Sequence, residues 1–174
     1  MNLLAIESAT DAVGVALARD GAGTTVVLHE GGRAHAELLV PSIEQVCRDA
    51  GLSVADLDVV AVDAGPGLFT GLRVGVATAK ALGQALSIGV VPVSSLDVLA
   101  AGAFERLAGE QVAAVVAVVD ARRAEVFVAV YHLDGPIGVE AAKAGAANAG
   151  AATALLDPAS VRDDEAHPIA PEVL

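Results

Sequence analysis

Small residues recur at every fourth position over Gly71, Gly75, Ala79 and Gly83, and this stripe narrows what the chain can fold into more than any other feature. It lies in VVAVDAGPGLFTGLRVGVATAKALGQAL, residues 59–86. Val59 to Val62 is a short β-branched run of the kind that fills a buried parallel strand, and Ala64-Gly65-Pro66-Gly67 interrupts it with turn-forming residues. Thr70 is placed to cap the helix that follows. Glycine inside a helix costs about 1 kcal/mol against alanine, so its repetition at helical spacing implies that another backbone comes very close to this face. Steps of four residues drift only about 40 degrees around a helix, so the stripe forms a shallow winding groove. Two occupants fit such a groove: the chain's own sheet, or a helix of a partner.

The turn is a poor phosphate loop. Glycine-rich strand-to-helix turns can cradle phosphate on helix amides, but a Walker loop needs Gly-Lys-Ser or Gly-Lys-Thr entering the helix, and here Leu72 and Arg73 follow Gly71. A dinucleotide fingerprint needs glycine where Thr70 stands, and Pro66 removes one amide donor.

At 174 residues the chain can bury a sizeable core. Net charge is −12 with ten Lys and Arg, which lacks the electrostatic footprint of an autonomous nucleic-acid binder. Aromatic residues make up only 2%, so stacking platforms for bases are nearly absent. The single cysteine, Cys47, excludes an internal disulfide and a cysteine-based zinc cluster and reads as a buried small hydrophobe. Met1 to Ile6 has no basic leader character, and no apolar run reaches the ~20 residues that cross a bilayer. A cytoplasmic protein with no membrane association is expected.

Taken in order, Leu3 to Ile6, Val13 to Ala18 and Thr24 to His29 read as three strands in an antiparallel meander, turning at Glu7 to Asp11 and at Asp20-Gly21. His35 to Ala50 reads as a helix with Leu39, Ile43, Val46, Cys47 and Ala50 on one face and Pro41 inside it or in its first turn. Leu57 to Val62, Ile88 to Val93, Val112 to Val119 and Glu125 to Tyr131 complete the strands. A helix is expected from Ser94-Ser95 through Leu107, and Asp120-Ala121-Arg122-Arg123 is expected to turn. Glu140 to Leu156 is alanine-rich and expected to be helical, broken by Gly145 and Gly150, before a poorly ordered tail. Strands in succession followed by alternation with helices predict a mixed sheet rather than a simple α/β wind.

Three stretches carry a family resemblance: LLAIESATDAVGVAL, HAELLVPSIEQV and DAGPGLFTGLRVGVATAKAL, with DARRAEVFVAVY similar to the next block. Over residues 1 to 131 the chain resembles the TsaB (YeaZ) family. The resemblance implies an actin-like fold of the ASKHA class, related to ribonuclease H, with mixed sheets and flanking helices in two related subdomains. It places the first subdomain at residues 1–100 and a second, incomplete one at 101–174. Family chains carry a fuller second half than this one, which stops at Pro171-Glu172-Val173-Leu174, so either the second subdomain is reduced or further residues of it are missing from this sequence.

The same resemblance implies a role in threonylcarbamoylation of an adenosine beside the tRNA anticodon. There TsaB is the non-catalytic scaffold, TsaD the catalytic paralogue, and TsaE an additional ATPase reached through the complex. The residues support the non-catalytic assignment. TsaD carries a His-x-x-x-His metal pair after its Gly-Pro-Gly motif, whereas here no histidine stands between His35 and His132. No metal site is expected. His29, His35, His132 and His167 are too scattered for a constellation and read as surface or strand-end residues. An actin-like nucleotide site needs two phosphate turns. The first is present as Glu7 to Asp11, but the second, Asp120 to Ala124, has no glycine. Glu7, Ser8 and Asp120 therefore read as relics of degenerate phosphate turns, with no cofactor. The alternatives are an actin-like ATPase or a glycoprotease-type metallopeptidase acting on its own. The resemblance also implies a partner interface made of Leu39, Ile43, Val46, Gly71, Leu72, Gly75, Val76, Ala79 and Gly83, self-paired in a homodimer when alone and paired with TsaD in a heterodimer. Contact with tRNA is expected only through the partner.

Overall fold

The computed structural model describes residues 1–32, 34–107, 112, 114–122, 125–132 and 154–156. Three strands open the chain: β1 (Asn2–Glu7), β2 (Val13–Arg19) and β3 (Gly23–His29). They form the expected meander, with Ile6 opposite Val15 and Gly14 opposite Leu28. Helix α1 (His35–Asp49) follows, then a 3-10 turn at Val54–Asp56, β4 (Val59–Asp63), α2 (Phe69–Leu86), β5 (Gly89–Val93) and α3 (Ser95–Arg106). β4 returns beside β1 in parallel and β5 beside β4, giving a five-stranded mixed sheet in the order β3-β2-β1-β4-β5.

Strand alternation decides which side of this sheet is buried. Leu4, Ile6, Val15, Leu17, Val60 and Val62 point to the face covered by α1 and α2, where Leu39, Ile43, Val46 and Cys47 meet them. Pro41 sits in the second turn of α1, outside the core and exposed, and the helix continues through it. α2 begins at Phe69 with Leu68 at the cap position and no side-chain cap, so Thr70 is not the cap. Leu68 N instead donates to Ala9 O across the neighbouring turn, which ties down the helix start without a capping side chain.

A second sheet follows. β6 (Ala114–Arg122) and β7 (Glu125–His132) pair antiparallel, and β8 (Ala154–Leu156) adds to β7. Ala154–Leu156 is therefore strand where the sequence predicts helix, and the rest of the helix expected over Glu140 to Leu156, like the tail, lies outside the described residues. β6 continues through the expected turn as far as Arg122, with an irregularity between Asp120 and Arg122. α3 packs on this sheet, because Leu96, Ala100 and Phe104 share a core with Val115, Ala117, Ala129 and Tyr131. Residue 100 lies inside α3, whose buried Leu96, Ala100 and Phe104 pack in the second core.

Candidate functional site

The turn between β1 and β2 and the turn between β4 and α2 meet at the carboxyl ends of two adjacent parallel strands. In open α/β sheets that is where ligands bind. Here the chain's own backbone fills it. A Cβ on Gly67 would overlap the carbonyl oxygen of Ala9, and one on Gly71 would overlap that of Ser8. One on Gly75 would run into Ser8 Oγ, and one on Gly83 would lie 2.5 Å from Val90 Cγ2. Ser8, fully buried, donates from Oγ to Gly71 O at 3.0 Å. The small-residue stripe thus faces β1, the first turn and β5 of the same chain.

Most residues of the expected interface lie inside the single chain. Gly71, Gly75, Ala79 and Gly83 are buried in the subunit, and Leu39, Ile43 and Val46 are core residues beneath α1. Leu72 and Val76 are half-buried. The small residues answer a close approach, as the pattern indicates, but the approaching backbone is the turn at Ser8 and Ala9. The surfaces that α1 and α2 leave outward carry Val40 at 51% exposure and Phe69 at 63%, with the Arg73 guanidinium stacked 3.9 Å from the centroid of the Phe69 ring.

The first turn has also used its own donors. Ala9 N donates to Glu7 Oε1 at 2.7 Å and Ala12 N to Thr10 Oγ1 at 3.2 Å. His35 reaches in from α1, with Nε2 2.8 Å from Thr10 O. It is buried against the face of Gly71, so it is not the surface histidine its isolation in sequence indicates. Its position at the very start of α1, ahead of the first apolar contact, gave no signal of this. Asp120 lies on β6, in the other sheet from Glu7 and Ser8, and is exposed.

Sequence reading missed Asp63 altogether. At the end of β4, 4% exposed, it accepts from Gly65 N at 2.7 Å and from Ser95 Oγ at 2.6 Å on one oxygen, Oδ1. Glu7 is its neighbour on β1, one residue past the Ile6–Val62 pair of the parallel register. Burial first, and then the Asp63 carboxyl beside it, push the Glu7 carboxyl up to about 8. A signal was available: Asp63 ends an otherwise apolar strand, where a charge needs partners. These two acids close one end of an open trough of about 310 Å³ on the sheet face opposite α1 and α2, floored by Ala5, Gly14, Ala16 and Ala61. Among the described residues no three of His, Cys, Asp and Glu group in a way that could hold a metal ion. Among them, too, no helix is long and apolar enough to cross a membrane.

Residues 22–166 match the family model described as TsaD, tRNA N6-adenosine threonylcarbamoyltransferase. The chain is 35% identical over 136 residues to tRNA threonylcarbamoyladenosine biosynthesis protein TsaB of Escherichia coli, covering 77% of this chain and 56% of that protein. It is 44% identical over 133 residues to an uncharacterized protein of Mycobacterium tuberculosis, covering 74% of this chain and 58% of that protein. The chain therefore spans little more than half the length of these curated relatives. Among solved structures, YeaZ from Pseudomonas aeruginosa superposes with a TM-score of 0.74 at 30% identity, over 97% of this chain and 71% of that one.

Proposed function

Since the chain belongs to the TsaB (YeaZ) family and has its actin-like fold, we propose that it is a non-catalytic scaffold subunit in the threonylcarbamoylation of tRNA adenosine. In this reading it pairs with TsaD, reaches TsaE through that complex in the cytoplasm, self-pairs when alone, and meets tRNA only through its partner. The naming of relatives as threonylcarbamoyladenosine biosynthesis proteins supports the pathway.

One observation supports the non-catalytic part above the rest. Gly67 and Gly71 seat the start of α2 directly on the carbonyls of Ala9 and Ser8, so the turn that an actin-like ATPase offers to phosphate is filled by protein. Its amides at Ala9 and Ala12 donate to Glu7 and Thr10 instead. A net charge of −12 is consistent with tRNA being held by another subunit.

The paired helices remain the proposed docking element, now through their outward sides. Val40 and Phe69 are the large apolar side chains that α1 and α2 leave open, and Arg73 adds a charge beside them. The test mixes this chain with purified TsaD and measures the complex by gel filtration with light scattering. Val40→Glu together with Phe69→Glu should weaken pairing at least tenfold while the far-ultraviolet spectrum stays unchanged. Undiminished pairing would place the interface elsewhere, and no pairing by the unaltered chain would remove the scaffold reading.

A further inference from the structure

Among the described residues, β3 and β5 lie at the edges of the first sheet and β6 and β8 at those of the second. An edge strand offers unpaired N–H and C=O groups to any other chain, and three of these four are blunted against that. β5 carries the exposed Pro92, which has no N–H to give. β6 breaks register between Asp120 and Arg122, and β8 is only three residues long. β3 is not blunted in any of these ways. Its residues Gly23-Thr24-Thr25-Val26-Val27-Leu28-His29 follow β2 without a register break and contain no proline, lysine, arginine or acid. Among the described residues its backbone hydrogen-bonds to β2 alone.

β3 is also apolar on its open side. Val26 is 62% exposed and Leu28 57%, and both line the trough on the sheet face away from α1, whereas Val27 is buried on the α1 side. Strand period gives this edge a self-complementary register. With two copies of β3 antiparallel about a twofold axis at Val27, Val26 of each stands opposite Leu28 of the other on the trough side, and Thr25 opposite His29 on the helix side. Exposed apolar side chains then cover one another at about 5 Å between Cβ atoms. Charge favours the same match. The chain carries −12, so most surfaces of two copies repel, but no Lys, Arg, Asp or Glu stands between Asp20 and Glu30. In this register Glu30 faces Thr24 of the second copy rather than another acid.

We propose that β3 pairs antiparallel with β3 of a second copy of this chain in the Val27-centred register, joining the two five-stranded sheets into one continuous sheet. Each copy uses up its β3 edge, and Pro92 blunts β5 at the far side, so the assembly closes as a dimer instead of growing. The contact is separate from the helix docking proposed above and does not depend on TsaD. Phe69 starts α2, which packs on β4, β5 and β1, on the other side of the sheet from β3.

The test is sedimentation velocity of the whole chain over a range of concentrations, where a monomer–dimer equilibrium with no larger species is expected. Val26→Lys together with Leu28→Lys sets lysines at exposed positions that face one another across the twofold axis. This double variant should weaken the dimer roughly tenfold or more while the far-ultraviolet spectrum stays unchanged. Val26→Glu together with Leu28→Glu should do the same. An equimolar mixture of the two double variants brings each lysine opposite a glutamate and should restore a mixed dimer. Phe69→Glu should leave self-pairing as it is. Amide exchange in the unaltered chain gives a measure independent of any variant, because β3 amides should exchange more slowly as concentration rises. The proposal is overturned by a chain that stays monomeric or grows beyond a dimer, by a dimer that both double variants leave intact or that Phe69→Glu abolishes, by a mixture that does not pair, or by β3 amides whose exchange ignores concentration.

Discussion

Gly71 in α2 sits so tightly on Ser8 that its α-hydrogen takes the place where any side chain would strike the Ser8 carbonyl oxygen. Ser8 Oγ closes the contact from the other side by donating to Gly71 O. The obstacle is backbone, which cannot swing aside as a side-chain tip can. Gly71→Ala should therefore cost about 1 to 3 kcal/mol, or more if the two turns must separate. Urea denaturation of the isolated chain measures this. A stability loss under 0.5 kcal/mol, on the order of ordinary surface changes, would show that α2 can slide off the turn.

His35 shares that contact. Its ring lies beside Gly71, and Nε2 is 2.8 Å from Thr10 O. His35→Phe keeps the ring and removes the hydrogen bond. Its expected cost is about 0.5 to 1.5 kcal/mol in the same denaturation experiment. Addition of zinc should not alter the stability of the unaltered chain, because among the described residues no three of His, Cys, Asp and Glu group in a way that could hold a metal ion.

Stability should fall with rising pH across a window set by Glu7. Its carboxyl stands at about 8 in the folded chain and at 4.5 when unperturbed, so the folded state keeps a proton that the unfolded state gives up. The stabilisation is complete below about 4.5, declines between 4.5 and 8, and is absent above. Asp56 works in the opposite sense. Hydrogen bonds from Ser53 lower its carboxyl, so its contribution is present at neutral pH and disappears in acid. Denaturation midpoints taken at pH 5, 6.5 and 8.5 should descend for the unaltered chain and stay level between 5 and 8.5 for Glu7→Gln.

Local periodicity made the strands and helices legible. Val13 to Arg19 alternates large with small and is a strand, and Leu39, Ile43, Val46 and Cys47 recur at helical spacing and are core. Long-range facts were less accessible. The stripe on α2 announced a close approach, but its occupant, the carbonyl of Ser8, lies 63 residues away in sequence. The apolar face of α3 was equally readable, yet Leu96, Ala100 and Phe104 are compatible with either sheet, and only packing assigns them to the second. Ala154–Leu156 has the composition of a helix end and becomes a strand, because β7 offers it a free edge. Asp63 was hidden for a similar reason. Its partners Ser95 and Glu7 come from separate elements that no local pattern connects.

Gly102 provides the counterpart to the stripe. It too lies inside a helix, α3, but it is exposed, and a Cβ built on it meets nothing within 4 Å among the described residues. With no backbone to accommodate, the residue contributes only its conformational freedom in the unfolded chain, which folding must remove. Gly102→Ala should then stabilise by roughly 0.5 to 1 kcal/mol. The comparison with Gly71→Ala, made in one buffer by urea denaturation, separates the two reasons a helix can hold glycine. Opposite signs are expected, and a destabilised Gly102→Ala would mean that α3 has a neighbour on that side which the described residues do not include.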